Sequence, residues 1–422
     1  MNIQDIEDLS KRIIDNIISS ERYIHHYEDH IIIAEDLYPS DLLKYSAEGI
    51  SGVVLISGGV TSHIAILARS LEIPMVFIDE PELREIPSDT NVLIDADIGN
   101  IYINPTREII DKFKDKETSK EKFYSLDPIY KGDTYTKDKT RINLMINVNL
   151  LSDCEHIDHA DIDGVGLYRT EFPFIIRNNF PSEEEQFIIY KKLIDLFNDQ
   201  TVTFRTLDIG GDKVLSYYDL AKEENPFLGM RSIRFSLTHK DIFKEQIRAI
   251  LRSSANKDVK IMFPMISSID EFLQSKEIVS QCMEDLKNEN KQYNASPQIG
   301  MMVEIPSVIY IIDDFAKHAD FFSIGTNDLI QYTIAVDRTN EKVSGLYAPH
   351  HPSILRSLKR VAEAANNAGI DVSVCGDMAS NDAYIPFLVG IGITSLSVDS
   401  MYIPGVKKVL YELDVNKAKE YS

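Results

Sequence analysis

The chain has 422 residues, of which 44% are hydrophobic, and a formal net charge of -23. That length leaves room for more than one core, and so acidic a balance argues against a nucleic-acid partner. Its three cysteines, Cys154, Cys282 and Cys375, stand far apart with no CxxC pair, which suggests neither a disulfide framework nor a zinc site and points to the reducing cytosol.

In chain order, Ile6, Leu9, Ile13, Ile14 and Ile17 repeat at helical spacing, so residues 1–25 read as an N-terminal helix. No apolar run there resembles an export signal, and no later segment is long and apolar enough to insert in a membrane. His25 and His26, with His30 nearby, read as a surface loop rather than a metal site. Residues 26–104 then alternate short strands and helices: Ile31–Ala34, Gly52–Ser57, Met75–Ile78, Asn91–Ala96 and Ile101–Ile103 are the predicted strands of a small α/β domain.

The second of those strands runs into Gly58-Gly59-Val60-Thr61-Ser62-His63, followed by Ile64, Ile66, Leu67 and Leu71 at roughly helical spacing. Thr61 and Ser62 are helix-capping residue types, which places His63 in a first helical turn. Free N–H groups and the helix dipole favour an anion there, so a phosphoryl group on His63 would be stabilised where it sits. The plainer alternative is a capped helix whose histidine is merely solvated. Residues 105–138 shift to mixed charge and read as a solvated helical linker that permits movement.

From 139 to 422, apolar runs recur between helical segments: Ile142–Asn149, Gly164–Thr170, Val202–Leu207, Val259–Met265, Ile299–Glu304, Phe321–Gly325, Asp371–Cys375 and Ser395–Val398. Eight strands with helical crossovers fit a TIM (β/α)₈ barrel. Arg169, Arg205, Glu304, Asn327, Asp328 and Cys375 all fall at or just past the C-terminal ends of these runs, the face where such barrels place catalysis. A doubly wound open sheet is the alternative, but it would not need so many polar strand ends to converge.

GGVTSHIAILARSLEIP resembles the phosphohistidine motif of enzymes that take phosphate from phosphoenolpyruvate, most closely enzyme I of the bacterial sugar phosphotransferase system. GVGLYRTEF, RTLDIGGDK, ENPFLGMRSIR, IMFPMI, FFSIGTNDLIQYTIAVDR and CGDMA match the same family nearly verbatim, from about Asp5 onward. Three departures stand out: the family usually has Arg at Val60, a small polar residue at Ile64 and Glu at Asp377.

The resemblance implies a small swivelling phosphohistidine domain followed by a phosphoenolpyruvate-binding TIM barrel. It puts the phosphoryl carrier on His63, substrate contacts on Arg169, Arg205, Arg231, Asn327 and Arg338, Mg²⁺ ligands on Glu304 and Asp328, and the proton donor on Cys375. These types suit the chemistry. Arginine forks bind the oxygen pairs of phosphate and carboxylate, two carboxylates are what Mg²⁺ takes from a protein, and a thiol mostly protonated at neutral pH can donate to an enolate carbon. The plain alternative for each charged residue is an ordinary ion pair, such as Arg205 with Asp208. Cys154 and Cys282 read as buried structural thiols.

The expected activity is phosphoryl transfer from phosphoenolpyruvate to His63 with release of pyruvate, then to the phosphocarrier protein HPr, by a cytoplasmic enzyme that pairs as a homodimer through the barrel. Relatives carry a helical HPr-docking insertion near the N-terminus and run on past the eighth strand. This sequence starts at what reads as the helix leaving that insertion and ends at Ser422, so it reads as a fragment or a shortened form. A dikinase or phosphoenolpyruvate synthase is disfavoured because no nucleotide-binding motif is present. A phosphoenolpyruvate sensor that keeps its phosphate is the non-enzymatic alternative.

Overall fold

The structure is a computed structural model. It describes residues 128–421 apart from 155–156, 176–178, 199, 212–214, 216, 219–222, 339 and 341, and residues 30–113 apart from 36, 38–40, 43–44, 47, 57–63, 65–67, 69–72, 79, 81–82, 84–85, 89, 97–98, 108 and 111–112. The chain divides into two compact units, Met1–Lys122 and Phe123–Ser422.

In the first unit three short runs of β-branched residues form a parallel sheet in the order β1 (Ile31–Ala34), β2 (Gly52–Leu55), β3 (Met75–Phe77). The central strand β2 is buried along its whole length, as expected of a strand covered on both faces. An antiparallel pair, β4 (Val92–Asp95) and β5 (Asn100–Ile103), places Ile94 and Ile101 against Val54, Ile56 and Leu83. Gly52 permits this approach, because a Cβ there would lie 2.3 Å from Ile94 Cδ1. His63, Thr61 and Ser62 lie outside the described residues. Downstream of them Ile64 and Ala68 are helical and buried.

The second unit is a closed barrel of eight parallel strands: β6 (Asn143–Val148), β7 (Gly164–Arg169), β8 (Thr201–Arg205), β9 (Val259–Phe263), β10 (Gln298–Val303), β11 (Phe321–Ile324), β12 (Asp371–Val374) and β13 (Ser395–Asp399). Each pairs with the next in sequence, and β13 closes on β6 with Leu396 opposite Leu144. The eight predicted runs are these eight strands. One face of each strand meets the surrounding helices through Ile, Val, Leu and Phe in one continuous core. The crossover helices are punctuated as their sequences dictate. Ser182 and Ser268 form capping boxes with Glu185 and Glu271, and Gly369 ends the helix Pro352–Ala368 in the left-handed conformation at φ 69°.

The interior is layered. Leu167, Met262, Met302, Phe321 and Cys375 form an apolar plug across the barrel. Below it, at the end where the strands begin, a cavity of about 400 Å³ is lined mainly by polar residues that include Thr203, Lys260, Ser373 and Ser395. The strap leading into β6 is fastened to the last helices. Buried Lys407, on the helix Ile403–Glu412, donates from Nζ to the carbonyls of Tyr130 at 3.0 Å and Gly132 at 2.6 Å, and pairs with Asp161 at 3.5 Å. No helix among the described residues is long and apolar enough to cross a membrane.

Candidate active site

Above the plug, where the strands end, a cleft of about 230 Å³ opens. Arg169, Arg205, Arg231, Glu304, Asn327, Asp328, Arg338 and Cys375 all line it, so the barrel brings together every candidate residue that sequence placed in this unit. The ninth candidate, His63, lies outside the described residues.

Strand ends supply most of the set. Arg169 and Arg205 are the last residues of β7 and β8, while Glu304 and Cys375 directly follow β10 and β12. Asn327 and Asp328 sit in the first turn of the helix Thr326–Ile334, and Arg231 precedes the helix Ile233–Thr238. Two glycines make room. A Cβ on Gly325 would lie 2.9 Å from Glu304 Oε2, and one on Gly376 would lie 2.0 Å from Thr326 Oγ1.

Two arginines are held by buried carboxylates. Arg205 Nη2 reaches Glu171 Oε1 at 2.6 Å and Asp208 Oδ2 at 3.1 Å. Arg231 pairs with Asp328 Oδ2 at 3.2 Å and Asp208 Oδ1 at 3.4 Å, and donates to Tyr332 Oη at 2.9 Å. Burial opposes their charge, but Asp208, with Glu171 for Arg205 and Asp328 for Arg231, keeps both pKa values above the usual arginine value. Arg205 Nε nevertheless remains a buried donor without a hydrogen-bond partner, whereas Arg231 Nε has the long contact with Asp208 Oδ1. A donor like that of Arg205 suits an anion that the protein itself does not supply.

Arg169 is half-buried and donates to Asn149 Oδ1 at 2.8 Å, and Arg338 is exposed at the rim. Asn327 is locked to Asp377, giving one amide hydrogen to Asp377 Oδ1 at 2.9 Å and accepting from its backbone N–H at 3.0 Å. The suspected Arg205–Asp208 ion pair therefore exists, but as part of the cleft rather than as an alternative to it. Glu171 and Tyr332 were not singled out from sequence. Glu171 stands two residues from Arg169 in the same motif, the one local signal that could have found it.

The acidic side is crowded. Glu304 is buried and accepts from the Met265 backbone N–H at 2.6 Å. Burial, then the charges of Asp328 and Asp208, push its pKa from the ordinary 4.5 up to about 8, against the pull of Arg205 and Arg231. Among the described residues no three His, Cys, Asp or Glu side chains gather closely enough to form a metal cluster. The Glu304 and Asp328 carboxyl groups, hard oxygen donors on one side of the cleft, nonetheless fit an ion such as Mg²⁺, which needs only one or two from a protein. Cys375 is buried, its Sγ 3.6 Å from the Ile324 carbonyl, and burial raises its pKa, so the thiol keeps its proton at neutral pH.

The raised carboxyl has a measurable consequence. The folded protein holds this proton more tightly than the unfolded chain, so the resulting stability is complete below pH 4.5 and lost as pH rises through about 8. Metal-free protein should therefore unfold at progressively lower temperature across that window. Glu304→Gln, neutral throughout, should exceed the parent in Tm by a few degrees at the alkaline end and match it at the acid end. Scanning calorimetry in EDTA checks this, and parallel profiles for the two proteins would contradict it.

Residues 128–415 match the PEP-binding domain of PEP-utilising enzymes and residues 26–99 match the mobile domain of the same enzymes. The phosphoenolpyruvate-protein phosphotransferase of Staphylococcus aureus (strain MSSA476) is 40% identical over 422 residues, covering 99% of this chain and 73% of the relative. The chain belongs to the phosphoenolpyruvate-protein phosphotransferase family. The phosphotransferase of Haemophilus influenzae is 39% identical over 98% of the chain, and that of Priestia megaterium 41% over 97%, covering 73% and 72% of those relatives. In this phosphotransferase chain the PEP-binding match spans the whole barrel and its cleft, and the mobile-domain match spans His63.

Proposed function

We propose that the protein transfers the phosphoryl group of phosphoenolpyruvate to His63, releases pyruvate, and passes the phosphate from His63 to HPr. The observation that carries this reading is the cleft itself. Four arginines, one of them with an unfilled buried donor, converge on a space that also holds a paired carboxylate set and a protonated thiol.

Arg169, Arg205, Arg231 and Arg338 grip the phosphate and carboxylate of the substrate, and Asn327, oriented by Asp377, adds a donor. Glu304 and Asp328 are the residues that would hold Mg²⁺, which supplies positive charge to the phosphoryl oxygens as they transfer. The neutral imidazole of His63 attacks phosphorus in line, the P–O bond to the enol oxygen breaks, and its electron pair leaves with the enolate. The Cys375 thiol gives its proton to the terminal carbon, and pyruvate departs. This reading also takes the enzyme as cytoplasmic and as a homodimer through the barrel.

Radiolabelled phosphoenolpyruvate with Mg²⁺ tests the first half. The parent should acquire an acid-labile label that His63→Ala lacks entirely. Adding HPr should then discharge the label. A parent that takes up no label refutes the transfer, whereas a labelled protein that keeps its phosphate before HPr leaves the first step standing and favours a sensor.

A further inference from the structure

Arg169 and Arg205 are register partners and the last residues of β7 and β8, so the ladder between the two strands stops with them. The chain just past that point carries much of the cleft. Thr170 is flanked by Arg169 and Glu171, and Leu207 stands beside Asp208 and two residues from Arg205. Since no strand pairing extends to these segments, something else must fix how far apart they lie.

The fastening is Gln246, a buried residue of the crossover helix Lys240–Ser253. Its Oε1 accepts from the Leu207 backbone N–H at 2.8 Å, and its Nε2 donates to Thr170 Oγ1 at 3.0 Å. Thr170 in turn gives its one hydroxyl proton to the Arg205 carbonyl at 2.8 Å. Each direction is forced: a backbone N–H can only donate, and a hydroxyl whose proton is committed can only accept. The position therefore needs one acceptor and one donor on the same side chain, which an amide supplies and an ionised carboxylate does not. Thr170 is 0% exposed, Gln246 1% and Leu207 2%, so water cannot stand in for a missing partner. Tyr190, on the helix Glu183–Phe197, meets the same amide at 3.4 Å but donates its own proton to Gln186 at 2.9 Å rather than to a strand end.

We propose that Gln246 is a positioning residue for the cleft: from the surrounding helical layer it ties the end of β7 to the end of β8 and so sets the spacing of Arg169 and Arg205. It touches no reacting atom and acts through Thr170 and the backbone of Arg205 and Leu207. Without the tie, the Leu207 N–H and the Arg205 carbonyl lose their fixed partners and the two segments shift. Glu171 and Asp208, which hold the Arg205 guanidinium, lie on those same segments and shift with them. The proposal rests on the phosphotransfer reading only in taking phosphoenolpyruvate as the ligand, and affinity measured without turnover tells the two failures apart.

The test is titration calorimetry of phosphoenolpyruvate with Mg²⁺ into full chains that all carry His63→Ala, with that single variant as the reference. Gln246→Glu decides the matter. Protonated, its carboxyl accepts from Leu207 and donates to Thr170 as the amide does; ionised, it draws the Thr170 proton away from the Arg205 carbonyl. A buried glutamate holds its proton to about pH 8. The titratable groups around it are Glu171 and Asp208, both paired with Arg205, and Tyr190, whose phenol burial lifts above its ordinary value and keeps neutral. Gln246→Glu should therefore bind within about 2-fold of the reference near pH 6 and ~10-fold or more weakly near pH 9, while Gln246→Met, which offers neither atom, should bind weakly at both. Tyr190→Phe removes a hydrogen bond from the same buried cluster and frees neither strand end, so its Tm should fall while its affinity stays within about 2-fold. Gln246→Glu that tracks the reference at every pH overturns the tie. Tyr190→Phe that weakens binding as much as Gln246→Met also overturns it, because that loss belongs to general packing. Chains with His63 intact that take up no label overturn the phosphotransfer reading alone, and phosphoenolpyruvate that binds no chain overturns both.

Discussion

Arg205→Met should lower kcat/KM for phosphoenolpyruvate by about 1000-fold and destabilise the barrel by about 3–5 kcal/mol. Both effects arise from one guanidinium. Arg205 faces the cleft with an unfilled donor, and behind it Glu171 and Asp208 are buried with its charge as their compensation. Removing it takes a cationic ligand from the anionic substrate, leaves buried Glu171 without this counter-charge and leaves Asp208 with Arg231 alone. The two losses separate in a second variant. Adding Glu171→Gln to Arg205→Met should recover part of the stability, since one uncompensated charge is gone, and none of the activity. Urea denaturation and steady-state kinetics on the four proteins of this cycle provide the check. An Arg205→Met protein with parental stability and activity within about 10-fold of parent would remove Arg205 from the substrate clamp.

Cys375→Ala should act on a different step. Losing a positioned general acid slows proton transfer by about 10²- to 10⁴-fold, while label should still reach His63 in a single turnover. In the parent, burial keeps the thiol protonated through neutral pH, so pyruvate formation should hold its rate there and decline on the alkaline side as the thiol ionises. The alanine protein should lack that alkaline limb. Rapid-quench measurement of pyruvate and protein label across pH decides the matter, and an unchanged pyruvate rate would exclude the thiol as donor.

The eight strands were legible because each is a short run rich in β-branched and apolar residues, bounded by turns, and strands buried on the outer face by helices leave that pattern plainly. The cleft was legible because its candidate side chains stand at strand ends, as Arg169, Arg205 and Cys375 do. Sequence offered the Arg205–Asp208 pair, three residues apart, but not the other holds. Glu171 comes from the segment after β7, and its grip on Arg205 depends on the register of two strands rather than on spacing along the chain. Arg231 and Asp328, 97 positions apart, meet only because the barrel closes.

The pairing of β13 with β6, together with the Lys407 fastening of the strap before β6, bears on how the protein is made. The first barrel strand to leave the ribosome finds one of its two partners only in the last. Throughout synthesis of the intervening strands β6 keeps a bare edge, an invitation to pair wrongly with another nascent chain. The barrel should therefore stay open until β13 and the residues around Lys407 have emerged, and close in one late step. A polysome carrying chains stalled before that point would hold open, protease-sensitive sheets, and emergence of Lys407 would shut them.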